Sequence, residues 1–322
     1  MPDGELRFDL LTREWVNVVG HRQGRPNLPS GTCPFCVGGL EAPAPYVTRW
    51  FENRWPALAP GAPVDTATAA ATGTSTLPSV GACEVVLYSP VHDESLWTLG
   101  LAGVRHVVDL WAERTSALLA RPEVEYVLVI ENRGELVGAT ISHPHGQIYG
   151  YPFLPPVPRR EAEVAREHGC PVCAETAAEA AARARVVYDD GEWLAWVPYA
   201  SAYGYGLRLA PRTHTPGLAD LDASERDRFS ALLVDVLGRY DRLWERPSDE
   251  GIFPYMFWIH QAPAHHDGEY HLHVHTAPPL RSPSVQRFVA SAELGSGTFS
   301  NPVVPEDAAA ALRAAVAPGA AR

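Results

Sequence analysis

The chain contains no lysine, and all 26 of its basic side chains are arginine. The 38 acidic residues outnumber them, giving a net charge of −12. That balance excludes a general nucleic-acid-binding surface, which needs a basic stripe, and it means that an anionic substrate must be met by individual arginines. No uncharged apolar run reaches about 18 residues, so no membrane-spanning helix is expected. The opening Met1-Pro2-Asp3-Gly4-Glu5-Leu6-Arg7 lacks the basic-then-apolar order of an export signal. Cysteine is scarce, and Cys33, Cys36, Cys83, Cys170 and Cys173 form an odd set with four members in Cys-x-x-Cys pairs. In a chain expected to stay in the cytoplasm, such pairs read as metal ligands before disulfides. Cys83 has no partner at that spacing and reads as a buried core thiol.

A length of 322 residues, 46% of them apolar and 20% charged, suits a large soluble core in one large or two ordinary domains. The most informative stretch is Thr140-Ile141-Ser142-His143-Pro144-His145-Gly146-Gln147-Ile148-Tyr149. In extended backbone, alternation sends His143, His145 and Gln147 to one face. The apolar run Glu125 to Ile130 before it predicts a buried strand, and Glu131-Asn132-Arg133-Gly134 predicts the turn between them. Histidine is a metal ligand, a base, or a nucleophile that is neutral near pH 7. Two of them one residue apart can divide those roles, one held by a metal and one presented to a substrate.

The chain also repeats itself. In each half a Cys-x-x-Cys pair is followed by a His after a strand, a helix, a strand and a His-x-His run. Counterparts are offset by 137 residues for the cysteines, 122 for His92 and His214, and 128 for His143 and His271. A duplication with drift in loop length produces this pattern. The predicted helices cover Leu99 to Leu119 and Ala223 to Leu243, with strands at 82–88, 185–188, 193–197, 253–260 and 270–275. A hairpin is predicted within 7–19, a loop rich in Ala, Thr, Gly, Ser and Pro over 59–81, and a short helix with a frayed tail over 307–322. In the first half, Cys33, Cys36, His92 and His143 supply two thiolates and two imidazoles, a closed tetrahedral zinc set. The repeat assigns Cys170, Cys173, His214 and His271 to a second one.

The run His143-Pro144-His145-Gly146-Gln147 resembles the His-Pro-His-Gly-Gln signature of the galactose-1-phosphate uridylyltransferases, the transferase branch of the histidine-triad superfamily. The resemblance extends from Arg7 to about Arg313. It implies an α+β fold of two tandem histidine-triad modules, residues 1–160 and 161–322, with antiparallel sheets covered by helices. It implies a homodimer, and a ping-pong transfer of UMP from a nucleotide sugar to a sugar 1-phosphate, with His145 as nucleophile and Gln147 bonding the transferred phosphoryl group. Arg22 and Arg25 match arginines that approach the phosphates from a partner subunit, Phe51 and Asn53 match a uridine-holding pair, and Asn132 and Thr140 match phosphate contacts. Arg287, Phe288 and Glu293, in a stretch with a Gly-rich turn, match the hexose-binding segment.

The match has departures. Arg54 stands where Asp is usual, Thr140 where Ser is usual, Ala292 where one branch has Tyr, and Phe299 where a Gln is expected. The run Gly295 to Pro302 is closer to the branch that includes ADP-glucose phosphorylase, a relative with zinc in both halves. Other uridylyltransferases use a Glu and three His for the second metal, and Glu161, His260, His273 and His275 match those positions. The Cys-containing set is the expected one, because thiolates select zinc.

Overall fold

The computed structural model describes residues 4–24, 32–61, 73–244 and 252–316. Its centre is a nine-stranded sheet in which every pairing is antiparallel. The strands of the first half are β3 (Arg49–Glu52), β5 (Ala82–Leu87), β6 (Tyr126–Arg133) and β7 (His145–Tyr151). Those of the second half are β8 (Val186–Asp189), β9 (Trp193–Trp196), β10 (Arg208–Pro211), β11 (Tyr255–His260) and β12 (His273–Ala277). The spatial order is β3-β5-β7-β6-β11-β12-β10-β9-β8. If β5, β6 and β7 correspond to β10, β11 and β12, this order reads the same from either side of the β6–β11 seam. At that seam Ile130 faces Trp258, which is 128 residues further on and its own counterpart at the offset of the His-x-His runs.

Alternation gives each strand a buried face and a mixed face. Val86, Val127, Val129, Ile148, Ile259, Val274 and Leu209 form one core with helix α1 (Gly100–Leu119) and helix α4 (Ala223–Arg242). Both long helices were legible from their apolar spacing, with Val104, Val107, Val108, Trp111 and Leu118 buried on the first and Phe229, Leu232, Leu233, Val236 and Leu237 on the second. A capping box of Asp222 and Glu225 starts α4. Arg226 of α4 pairs with Asp109 of α1 at 3.1 Å.

The opposite face carries one continuous row across seven strands, Val85, Gln147, Ile130, Trp258, His275, Arg208 and Trp196. Helix α2 (Pro156–His168) and helix α3 (Pro171–Ala182) lie on this side: Glu161 of α2 meets His260 there, and Val172 of α3 packs with Trp196. Neither helix was anticipated, since Pro at the first helical turn and Ala-rich or charged composition conceal the apolar pattern. A separate three-stranded sheet combines β1 (Gly4–Asp9), β2 (Glu14–Val19) and β4 (Thr76–Pro78). The expected hairpin is therefore present, whereas part of the expected loop at 59–81 is strand, and residues 62–72 of it lie outside the described residues. Residues 280–286 contain the short pair β13 (Leu280–Ser282) and β14 (Val285–Gln286). Helix α5 (Ser291–Ser296) and helix α6 (Pro305–Ala314) follow. The Gly-rich turn expected near Glu293 is thus the C-terminal end of a short helix, closed by Gly297 at φ 71°.

One boundary differs in a way that matters for the site. Strand β6 runs on to Arg133, although Glu131-Asn132-Arg133 reads as a turn in sequence. The polar side chains are held by partners distant in the chain: the Tyr255 hydroxyl donates to Glu131 at 3.1 Å, and the Arg133 guanidinium donates to both carboxylate oxygens of Asp241 at 2.6 and 2.9 Å. Trp97 donates its indole N–H to the same Asp241 at 2.6 Å. Arg133 is 8% exposed, so removing its counter-ion leaves a nearly buried charge. Asp241→Ala is expected to destabilise the fold by about 3 kcal/mol, measured as a lower urea unfolding midpoint with unchanged slope.

Candidate functional site

Strand β7 begins at His145, so Pro144 separates the two histidines and His143 sits in the segment before the strand. The backbone N–H of Tyr88 donates to the Pro144 carbonyl at 3.1 Å. The Phe35 ring packs edge-on against both imidazoles, with centroids 6.0 Å from His143 and 5.1 Å from His145. Gly146 is obligatory here, since a Cβ would lie 2.0 Å from the Tyr88 hydroxyl and 2.8 Å from the Ile130 carbonyl.

The tautomers follow from the acceptors. The His143 carbonyl lies 2.8 Å from His145 Nδ1. A carbonyl only accepts, so the proton is on Nδ1 and the lone pair of His145 is on Nε2. His143 is the reverse, with Nε2–H donating to the Ser89 carbonyl at 2.7 Å and Nδ1 facing the Cys36 sulfur at 3.6 Å. His92 Nδ1 is 3.5 Å from the same sulfur, and its Nε2 is 3.0 Å from the Ser142 hydroxyl. The Tyr46 hydroxyl lies 3.0 Å from His143 Nε2 and helps to fix the ring. Nothing in the sequence pointed to Tyr46.

Cys33, Cys36, His92 and His143 are brought together, each offering one donor atom within 4.8 Å of the others. A tetrahedral zinc with Zn–S of about 2.3 Å and Zn–N of about 2.0 Å separates S from N by roughly 3.6 Å, which matches the two Cys36–His spacings. The second set, Cys170, Cys173, His214 and His271, is also assembled. Cys173 sulfur is 3.4 Å from His214 Nδ1 and 3.3 Å from His271 Nδ1. Even the anchors repeat, because His271 Nε2–H donates to the Pro211 carbonyl at 3.0 Å, and Pro211 is 122 residues beyond Ser89. The cysteines differ in setting: the first pair lies in turns, whereas Cys170 caps α3 and accepts from the Cys173 N–H. Burial pushes the Cys173 thiol up to about 11 and the Cys36 thiol above its usual range. Burial also lowers His143, and takes His271 to about 4. Raised thiols bind a metal by giving up their protons, so metal uptake at these sets would release protons.

Both second-half sets are assembled, because Glu161, His260, His273 and His275 form a third cluster beside the expected Cys-containing one. Glu161 accepts from His260 Nδ1 at 2.8 Å and lies 3.6 Å from His273 and 3.9 Å from His275. Burial would raise its carboxyl, but the bonds from His260 and His273 outweigh that and hold it well below the carboxylate range. The sets are compatible because adjacent histidines of the run use opposite nitrogens, His271 turning Nδ1 to the thiols while His273 donates Nδ1–H to the His271 carbonyl at 2.8 Å.

His145 lines a cleft of about 1050 Å³ together with Asn132, Thr140, Ser142 and His143. Gln147 follows His145 on the same face of β7, and the Tyr149 hydroxyl donates to its Oε1 at 3.3 Å. The β6–β7 register, continued two residues beyond the Ile130–Gln147 pair, sets Asn132 beside His145. Phe51 packs against Phe35 with centroids 5.8 Å apart. Asn53 lines a separate small cavity with Cys83, Glu84 and Arg121, and its Oδ1 accepts from the Trp55 N–H at 2.9 Å. Arg54 is drawn aside to Glu41 at 2.8 Å.

Arg22, Arg287, Phe288 and Glu293 do not line the His145 cleft of their own chain, and Arg25 lies outside the described residues. Arg22 sits in the turn after β2. Arg287 pairs with Glu293 at 3.4 Å and packs over Tyr203 and Phe299, while the adjacent Phe288 is 70% exposed. The cleft itself is acidic: Asp93, Glu94 and Glu135 line it, while Asp241 is paired with Arg133 and burial raises the Glu131 carboxyl to about 8.

Two family models match, described as the N-terminal domain of galactose-1-phosphate uridyl transferase over residues 36–155 and its C-terminal domain over 159–318. Galactose-1-phosphate uridylyltransferase of Thermotoga maritima is 37% identical over 320 residues, covering 96% of this chain and 98% of that protein. A solved structure of a uridylyltransferase superposes with a TM-score of 0.84 at 28% identity, covering 97% of this chain and 98% of the other. An ADP-glucose phosphorylase of Arabidopsis thaliana, solved with ADP-glucose, gives 0.71 at 25% identity, covering 96% and 98%. Gly146→Ala is expected to cost about 1–3 kcal/mol in thermal stability through overpacking, and to reduce turnover at least tenfold because the intruding methyl moves Tyr88 or β6 away from His145.

Proposed function

The chain belongs to the galactose-1-phosphate uridylyltransferase family, and we propose that it moves UMP from a UDP-hexose to a hexose 1-phosphate through a uridylyl intermediate on His145. The observation that carries this reading is the hydrogen bond from His145 Nδ1–H to the His143 carbonyl, which leaves Nε2 as the nucleophilic nitrogen at a cleft of nucleotide-sugar size. In the first half-reaction Nε2 attacks the α-phosphorus. The N–P bond forms as the bond to the β-phosphate oxygen breaks, and hexose 1-phosphate leaves with that electron pair. The positive charge that develops on the ring is met by the carbonyl at Nδ1. A second sugar 1-phosphate then attacks phosphorus and returns the imidazole to its neutral form.

Charge on the non-bridging oxygens needs preorganised donors. With its Oε1 already engaged by Tyr149, Gln147 has its amide N–H groups to offer from the face of β7 that carries His145, and Asn132 and Thr140 line the His145 cleft itself. Phe51 and Asn53 serve the base and ribose. Because the cleft is acidic, the phosphates require cations from elsewhere. Arg22 and Arg25, with Arg287, Phe288 and Glu293 on the hexose side, suit delivery by a second copy, so a homodimer is the working assembly. The chain divides at residue 160 into a module with the nucleophile and a module with the hexose-side residues. Its free thiols suit the reducing cytoplasm.

Zinc fits the two Cys2His2 sets, and the imidazole–carboxylate set around Glu161 suits a further divalent first-row ion. Zinc would hold His143 rigid and so fix the carbonyl that orients His145. With four protein ligands it has no open position for substrate.

The second reading, transfer of AMP from an ADP-sugar, is favoured by the Cys170 to His271 cluster and the likeness to the phosphorylase. A binding module without turnover is a third reading. Intact-protein mass spectrometry under conditions that preserve a phosphoramidate, after brief incubation with UDP-glucose or ADP-glucose and no acceptor, separates them. A gain of one UMP is expected, a gain of one AMP selects the adenylyl reading, and no gain with binding intact rejects both enzyme readings for these donors. His145→Gly is expected to abolish labelling and leave metal content unchanged. Loss of metal in that variant would count against the division of roles between His143 and His145.

A further inference from the structure

Behind the nucleophile strand, on the sheet face covered by the long helices, lies a carboxyl that the transfer chemistry does not use. Glu131 follows Ile130 and precedes Asn132 on β6, is 4% exposed, and contributes to the cleft floor. The Tyr255 hydroxyl donates to its Oε1 at 3.1 Å, and its Oε2 has no hydrogen-bond partner among the described residues. Arg133, two residues along the same strand, is committed to Asp241 of α4 and to the Phe253 carbonyl at 3.3 Å. Tyr88, which directly follows β5, completes the surroundings, its phenol pushed up first by burial and then by the proximity of the Glu131 carboxyl. Its hydroxyl presses on Gly146, and the Ile130 carbonyl is the other close neighbour of that glycine.

These contacts form one packing unit. Tyr88 touches the peptide next to His145, Glu131 shares its strand with Asn132, and the Tyr88 N–H holds Pro144. As a neutral acid, Glu131 needs little solvation. As an anion, it would have one hydroxyl donor and the indirect field of an arginine already paired, and an undersolvated buried charge draws in water or displaces its neighbours. Burial raises its carboxyl to about 8, against the lowering effects of Arg133 and Tyr255.

We propose that Glu131 is a positioning residue that must remain protonated for transfer, its neutral form allowing β6 and β7 to close on Tyr88 with His145 and Asn132 in register. This rests on the uridylyl-transfer reading above. Ionisation acts through Ile130 and Gly146, not on the substrate. Below the unfolded-state value both folded and unfolded chains hold the proton. As pH rises toward 8 only the folded chain holds it, so stability and geometry are lost in the same alkaline direction.

The test uses the full chain as isolated with its metals, in steady-state UMP transfer from about pH 6 to pH 10, with thermal unfolding recorded at each point. Wild-type kcat is expected to fall as pH rises through about 8. Glu131→Gln mimics the protonated acid, so kcat at pH 7 should stay within about twofold and the alkaline limb should flatten. Tyr255→Phe removes a bond that favours the carboxylate, so its limb should move to higher pH. A limb that survives unchanged in Glu131→Gln overturns the proposal. If that variant does not fold, an unmoved limb in Tyr255→Phe overturns it. Wild-type protein that transfers nothing at any pH fails the functional reading instead, and infrared titration then decides whether a buried acid is present: no protonated-carboxyl band at pH 7 overturns the proposal as well.

Discussion

The pairing of β6 with β11 is the constraint on which the rest of the molecule depends. It joins two halves that each carry three central strands and a covering helix into a single sheet, with Ile130 opposite Trp258 at the seam. Because register is shared across the sheet, that one pairing aligns Gln147 of the first half with His275 of the second in the same transverse row. It also fixes where the polar end of β6 can bury itself. Arg133 reaches Asp241 and Glu131 reaches Tyr255 only because the second half lies alongside. The site is therefore not a property of one half, although His145, Gln147, Asn132 and the first metal-type cluster all come from it.

Within that frame, precision at His145 comes from backbone groups more than from side chains. A carbonyl two residues earlier orients its ring, a glycine allows Tyr88 to approach, and a proline carbonyl accepts from Tyr88. The His271-Leu272-His273 run reproduces the carbonyl-to-imidazole bond and the anchoring of the first histidine, but its second imidazole is buried and meets a carboxylate. One local geometry thus serves two ends, and what surrounds the second histidine decides between them.

Much of this was legible in the sequence. The two long helices, the central strands, the duplicated order and the Cys–His sets were readable because each rests on short-range spacing or on residue types with few chemical uses. The misses have a common cause. Glu131 and Arg133 read as a turn because their partners are 124 and 108 residues away. Tyr46 gave no signal because it acts on a histidine 97 residues distant. Helices α2 and α3 hid behind the prolines at their starts. The two second-half metal sets read as alternatives because ligand type alone does not show that both can be held at once. Proton placement on successive histidines separates them, and that cannot be read from spacing.

The sheet's two outer strands have a consequence for solubility. A nine-stranded antiparallel sheet would normally offer two long rows of unpaired amides and carbonyls to a neighbouring chain. Here both ends taper to strands of four residues, Arg49–Glu52 and Val186–Asp189, the first bracketed by opposite charges and the second packed by α6. Edges this short give a poor template for adding another strand. Copies of the chain are thereby steered away from growing into ribbons, and any association is left to the faces and loops.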